Sequence, residues 1–165
     1  MSSPPENVVL VRMAEIRVVE STRERPVALK TTLGSCVGVV IHDRERSVGG
    51  LAHIMLPQRA GSDVVAGKYA DSAVPELLER VLERGGRRGR LAAFVAGGAC
   101  MFEQSSDPTI VAIGSKNVEA AKRALERLQV PVVYEDTGGN QGRTMVFDTS
   151  SGAVDVRKLP RIKLG

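Results

Sequence analysis

Cys36 and His53 are the side chains whose types and spacing could supply a nucleophile and its base. Cys36 ends the run Leu33-Gly34-Ser35-Cys36, and His53 lies within Gly49-Gly50-Leu51-Ala52-His53-Ile54-Met55-Leu56-Pro57. Between them, Val37, Val39, Val40 and Ile41 are β-formers, Asp43 to Ser47 is a polar cluster suited to a turn, and an apolar run returns from Val48 to Leu56. Read as a hairpin, the two strands bring Cys36 at the start of one toward His53 near the end of the other. An imidazole that takes the thiol proton leaves a thiolate, a far better nucleophile, which attacks a carbonyl carbon. Gly34 and Ser35 add a turn whose free backbone N–H groups could face the oxyanion formed by that attack. The same pair also reads as a small buried hydrophobe beside valines and a structural histidine, and spacing alone leaves both readings open.

The rival side chains are few. His42 follows Cys36 by six residues on one strand, so an extended chain puts it roughly 20 Å away, too far to be this cysteine's base. Cys100 sits in the small-residue segment Gly97-Gly98-Ala99 and reads as a buried small side chain. A zinc site from His42, His53, Cys36 and Cys100 lacks the close ligand pairs that such sites use. No Walker loop or dinucleotide fingerprint is present, and the Gly-Gly pairs at 97–98 and 138–139 read as tight turns. No metal or cofactor is expected.

The elements that must position the pair follow from periodicity. Val8 to Val11 and Ile16 to Val19 are short strand candidates, and Val27 to Thr32 leads into the cysteine turn. A helix is expected from about Ala70 to Arg84, because Val74, Leu77, Leu78, Val81 and Leu82 form one apolar stripe. Asp71 would cap it and Gly85-Gly86 would stop it. Leu91 to Ala96 reads as a buried strand and Thr109 to Ala112 as another. A second helix is expected over about Ser115 to Gln129, with Ser115 as its cap and Val118, Ala121, Leu125 and Leu128 facing inward. Strands follow at Val130 to Tyr134, Thr144 to Phe147 and Val154 to Val156, with Pro131 marking an edge or a strand start. Hairpins combined with helix crossovers imply an α/β chain with mixed sheets.

With 165 residues, 42% hydrophobic and 25% charged, the chain suits one soluble domain. Two cysteines make no disulfide framework. The N-terminus lacks the layout of a signal peptide and no apolar run reaches the length of a membrane span, so a cytoplasmic protein without membrane insertion is expected. The net charge of +4 comes mainly from Arg87, Arg88 and Arg90 and from Arg157, Lys158, Arg161 and Lys163. With only three Phe and two Tyr, none in a stacking motif, nucleic acid is not the expected partner. A basic surface would instead help steer the chain toward an acidic protein.

Thr31-Thr32-Leu33-Gly34-Ser35-Cys36-Val37-Gly38-Val39 with His53-Ile54-Met55-Leu56-Pro57 resembles the signature of the CheD family, the chemoreceptor glutamine deamidases. The likeness continues through Gly67-Lys68-Tyr69-Ala70-Asp71, Gly97-Gly98-Ala99 with Met101-Phe102, Ile113-Gly114 with Lys116-Asn117-Val118, Glu135 to Asn140, and Arg143. It implies a single-domain mixed-sheet α/β sandwich with two main helices, similar in its catalytic core to deamidating toxins. The likeness runs over the expected deamidase domain, 8–158, and the sequence outside it reads as a disordered lead over residues 1–7 and a basic C-terminal tail over 159–165. The resemblance assigns Cys36 as nucleophile and His53 as base, and adds a threonine separated from Gly-Ser-Cys by two residues, which falls on Thr31, with the adjacent Thr32 as its stand-in. The implied activity is hydrolysis of receptor glutamine amides to glutamate, with chemoreceptors as substrate and a CheC-type phosphatase as a further partner. Two alternatives share the same residues: a docking module that modulates such a phosphatase, and a methylesterase acting on receptor glutamates through the same thiol.

Overall fold

The apolar runs on either side of the Asp43–Ser47 turn are buried along their whole length, which requires cover on both faces. The computed structural model describes residues 7–160. Its first five strands are β1 (Asn7–Leu10), β2 (Ile16–Glu20), β3 (Val27–Leu33), β4 (Val37–Asp43) and β5 (Val48–Ile54). The later strands are β6 (Leu91–Gly97), β7 (Val132–Thr137), β8 (Arg143–Asp148) and β9 (Ala153–Lys158), with helices α1 (Ala70–Glu83) and α2 (Pro108–Arg127). The expected lead lies outside the described residues apart from Asn7, as do Arg161 and Lys163 of the basic tail.

Two sheets form, ordered β1-β3-β8-β9 and β2-β5-β4-β6-β7. Both are mixed, since β1–β3 and β6–β7 are parallel and the remaining pairs antiparallel. The central strand β4 explains the layering. Val37, Val39 and Ile41 point to a core shared with Val74, Leu77 and Val81 of α1 and Ala121 and Leu125 of α2. Val40 points the other way, to a second core with Leu51, Leu29, Leu33, Met145 and Phe147 between the sheets. Each such Val or Leu contributes about 1.5–3 kcal/mol by leaving water. The result is a sandwich of helices, five-stranded sheet and four-stranded sheet, the expected mixed α/β class.

Gly49 and Gly50 let these layers close. A Cβ on Gly49 would come 2.7 Å from the Phe147 ring, and one on Gly50 2.7 Å from Leu77. Gly85 takes a φ of +106°, a left-handed stop just past α1. Pro131 immediately precedes β7, an edge strand of the larger sheet, as a residue without an N–H requires.

Three local expectations are corrected. Thr109 to Ala112 is not a strand but the first turn of α2, because Asp107 accepts from the Thr109 N–H at 2.9 Å and Pro108 is pre-set for a helix start. Ser115 is therefore mid-helix and donates to the Ala112 carbonyl at 3.0 Å rather than capping. Asp71 does not cap α1; its carboxylate is taken by the Arg59 N–H at 3.0 Å, and Tyr69 at the cap position makes no side-chain capping bond, its hydroxyl donating instead to the Asp63 carboxylate at 2.6 Å.

Candidate active site

The β4–β5 register sets the site. Gly38 faces His53 directly across the ladder. Cys36, two residues earlier and packed against the inter-sheet core, is the diagonal neighbour of His53. Such diagonals lie ~7–8 Å apart along the backbone, within reach of a thiol and an imidazole. His42 pairs with Gly49 at the opposite end of the hairpin. There it packs on Phe94 and Phe147, ring centroids 4.8 and 5.3 Å away, with both ring nitrogens buried and unpartnered among the described residues.

The two threonines are resolved by the pleat. Thr31 is buried and its Oγ1 lies 2.7 Å from Nδ1 of His53, whereas Thr32 faces solvent. The Thr31 hydroxyl donates its one proton to the Val11 carbonyl at 2.7 Å. Toward His53 it must then accept, so the imidazole carries its proton on Nδ1 and leaves Nε2 free as a base. The main chain of His53 is held just as firmly, its N–H donating to Glu15 at 3.0 Å and its carbonyl accepting from Ala14 at 2.9 Å. Gly67 permits this strap, because a Cβ there would strike the Ala14 carbonyl.

Burial pushes the Cys36 thiol above its ordinary range. Burial also lowers the His53 imidazole, opposed in part by the nearby Val11 carbonyl, which favours the charged form. Both shifts favour a resting pair of neutral thiol and neutral imidazole over a thiolate–imidazolium pair.

The turn over residues 34–36 is polarised. Its carbonyls are all engaged: Gly34 accepts from Ala99 N–H at 3.0 Å, Cys36 from Gly98 N–H at 2.9 Å, and Ser35 from the Asn117 side chain at 3.0 Å. The N–H groups of Gly34, Ser35 and Cys36 donate to no protein atom among the described residues. They are free to meet an oxyanion. Gly97 and Gly98 have φ of +106° and +65°, and a Cβ on Gly97 would strike the Cys36 carbonyl, so this junction suits glycine on both counts.

A groove of 720 Å³ runs beside the turn, lined by Met101, Phe102, Gln104, Asn140, Gln141 and Leu159 among others. Met101 and Phe102 are exposed, and Met101 lies against Gly34. Behind the Gln141 and Gly142 lining, buried Arg143 donates to the Asp136 carbonyl and carboxylate at 2.8 and 2.7 Å and to the Gly138 carbonyl. Cys100 is half-buried rather than buried, since it opens this loop; its N–H donates to Gly139 at 2.8 Å. Among the described residues no three His, Cys, Asp or Glu side chains converge as a metal site would need, and no helix is long and apolar enough to cross a membrane. Sequence reasoning left Asn117 without a role. Its signal was a polar side chain in phase with the buried stripe of Ala121 and Leu125.

The model of the family described as CheD chemotactic sensory transduction matches residues 55–158. A Methanococcus vannielii protein named a probable chemoreceptor glutamine deamidase CheD is 45% identical over 157 residues, covering 94% of this chain and 98% of its own. A Geobacillus kaustophilus protein of the same name is 46% identical over 154 residues, covering 90% and 91%. One from Clostridium kluyveri, again so named, is 46% identical over 129 residues, covering 77% and 80%. The family model takes in both helices and strands β6 to β9, the first two relatives cover nine-tenths or more of the chain, and the chain belongs to the CheD family.

Proposed function

We propose that this chain is an amidohydrolase that converts glutamine side chains of chemoreceptors to glutamate, using Cys36 as nucleophile, His53 as base and Thr31 to orient His53. The observation that carries the reading is the Thr31–His53 bond, which leaves Nε2 free on the face shared with Cys36. His53 Nε2 takes the thiol proton as Sγ attacks the amide carbon, and the oxygen gathers charge toward the N–H groups of the 34–36 turn. Collapse breaks the C–N bond, and the imidazolium gives its proton to the departing ammonia, leaving a thioester. His53 then deprotonates a water that attacks the thioester, and the released thiolate recovers the proton. Glutamine and water give glutamate and ammonia, with the protein unchanged.

The test is co-expression with a receptor cytoplasmic fragment and peptide mass spectrometry. The wild-type chain should convert specific glutamines, and Cys36→Ala should convert none. Unmodified receptor with wild-type protein, or undiminished conversion by Cys36→Ala, would overturn the reading. Release of methanol from methylated receptor would point to the esterase instead. Docking to a CheC-type phosphatase and a cytoplasmic location belong to the same reading. The exposed Met101–Phe102 corner supports docking, and Cys36→Ala should bind such a partner as well as the wild type does.

A further inference from the structure

Asn117 is fully buried in α2, yet its amide is only half satisfied. Nδ2 donates to the Ser35 carbonyl and to the Met55 carbonyl, each at 3.0 Å, while Oδ1 has no partner among the described residues. Two carbonyls can be served only by the NH2 group, so this orientation is fixed by its partners. An orphaned buried oxygen costs about 1–3 kcal/mol. Apolar residues occupy the neighbouring inward positions, Ala121, Ala124 and Leu125, and one here would avoid that cost. The cost points to a job for Nδ2.

Its two acceptors identify that job. Ser35 immediately precedes Cys36, and Met55 lies just beyond His53 at the exit of β5. No ladder joins these two points, because β4 begins only at Val37 and β5 ends at Ile54. One amide therefore bridges the open end of the hairpin where nucleophile and base must keep their separation. The bond also orients the Ser35–Cys36 peptide. With its carbonyl turned to Asn117, the Cys36 N–H points the opposite way across the trans peptide.

The helix is built to come this close. A Cβ on Gly114, one turn before Asn117, would lie 2.5 Å from the Ala99 carbonyl and 2.6 Å from that of Gly98. The Ala99 and Gly98 N–H groups in turn hold the Gly34 and Cys36 carbonyls. Gly114 thus seats α2 directly on the segment that grips the nucleophile turn.

We propose that Asn117 is a positioning residue: its side-chain NH2 fixes the distance between Cys36 and His53 and the direction of the Cys36 N–H, with Gly114 giving α2 the approach it needs. The proposal deepens the deamidase reading and rests on it, but one of its readouts needs no receptor. Asn117→Ala should lower kcat for receptor deamidation roughly 10²-fold, the scale of a misplacement near 1 Å, with KM within about twofold. It should also erase the His53-dependent limb from the pH profile of iodoacetamide labelling at Cys36. Asn117→Asp keeps the volume but sets a carboxylate against two carbonyls, and should match the alanine variant at neutral pH. Leu125→Ala, buried in the same helix away from the site, supplies the control for lost stability.

A kcat loss no larger than that of Leu125→Ala, or an unchanged labelling profile, would overturn the proposal. If Asn117→Ala does not fold, Asn117→Asp and Gly114→Ala carry the test with the same expected losses; if none of the three folds, the amide is a folding requirement and the clamp is rejected. If the wild type deamidates no receptor while the labelling profile changes as stated, the deamidase reading fails and the clamp stands.

Discussion

His42 and His53 sit at opposite ends of one hairpin, face the same inter-sheet layer, and are both held below the ordinary histidine range by burial. Only His53 has the surroundings that the proposed base role requires. His53 has its Nδ1 fixed by Thr31, its backbone strapped by Ala14 and Glu15, and a thiol diagonal to it. His42 has two orphaned nitrogens between the rings of Phe94 and Phe147. Burial and a shifted pKa are common to both. What separates a base from a packing residue is a partner that fixes the tautomer and a proton donor within reach.

Alanine at each position should break the comparison most sharply. His53→Ala is expected to reduce deamidation to background. It should slow alkylation of Cys36 far less, because alkylation needs no ammonia to be protonated. His42→Ala should leave kcat within a few-fold and instead lose about 2–4 kcal/mol of stability, the scale of a large-to-small core change. Side-by-side turnover, labelling and urea melts would read both. Inactivity of His42→Ala with His53→Ala active would reverse the assignment.

The next effect isolates the wiring. Thr31→Val keeps the shape but leaves the Val11 carbonyl and Nδ1 of His53 without the hydroxyl, and kcat should fall roughly 10²-fold. Thr32→Val, one residue along and exposed, should be silent. Equal losses in the two variants, measured as initial rates, would show that the pleat does not decide the matter.

The smallest effect is a pH dependence of stability. His42 binds a proton less readily folded than unfolded, chiefly through burial; Asp43 raises its affinity and Arg44 lowers it. The unfolded chain therefore takes up a proton near the ordinary value of 6.5 while the folded chain does not. Stability is full above that value and declines as the pH falls toward the folded one. His53 adds the same sign, so the comparison needs His42→Leu, which should be about 1 kcal/mol more stable at neutral pH and lose less on acidification. Parallel pH profiles for the two proteins would show that the buried nitrogens cost nothing.

The hairpin was legible because two apolar runs flank a polar turn, and strands buried on both faces need no alternation. The helix stripe of Val74, Leu77 and Val81 was legible for the same reason, that a local period reports a local structure. The start of α2 was misread because Thr109, Ile110 and Val111 favour strands, while the stronger signal, Asp107-Pro108, sat just before them. Thr31 and Thr32 could be ordered only by resemblance, since period-two alternation does not say which face is inside until β3 pairs with β8. The division into two sheets rests on contacts between distant segments, β1 with β3 and β3 with β8, and no window of sequence holds both partners. Asn117 belongs to the same class: its acceptors are 82 and 62 residues away.

Through the Val11 carbonyl an edge strand gains a hold on the proposed chemistry. Val11 follows β1, a four-residue edge strand that among the described residues pairs only with β3 and is largely exposed, and its N–H donates to the Lys30 carbonyl at 2.8 Å. Short edge strands open locally at a small fraction of the global unfolding free energy. Each such opening withdraws the acceptor that orients the Thr31 hydroxyl, and the proton on His53 is then free to change nitrogen. Turnover should accordingly fade at urea concentrations below the global transition, in step with hydrogen exchange at the Val11 amide rather than with exchange in β4.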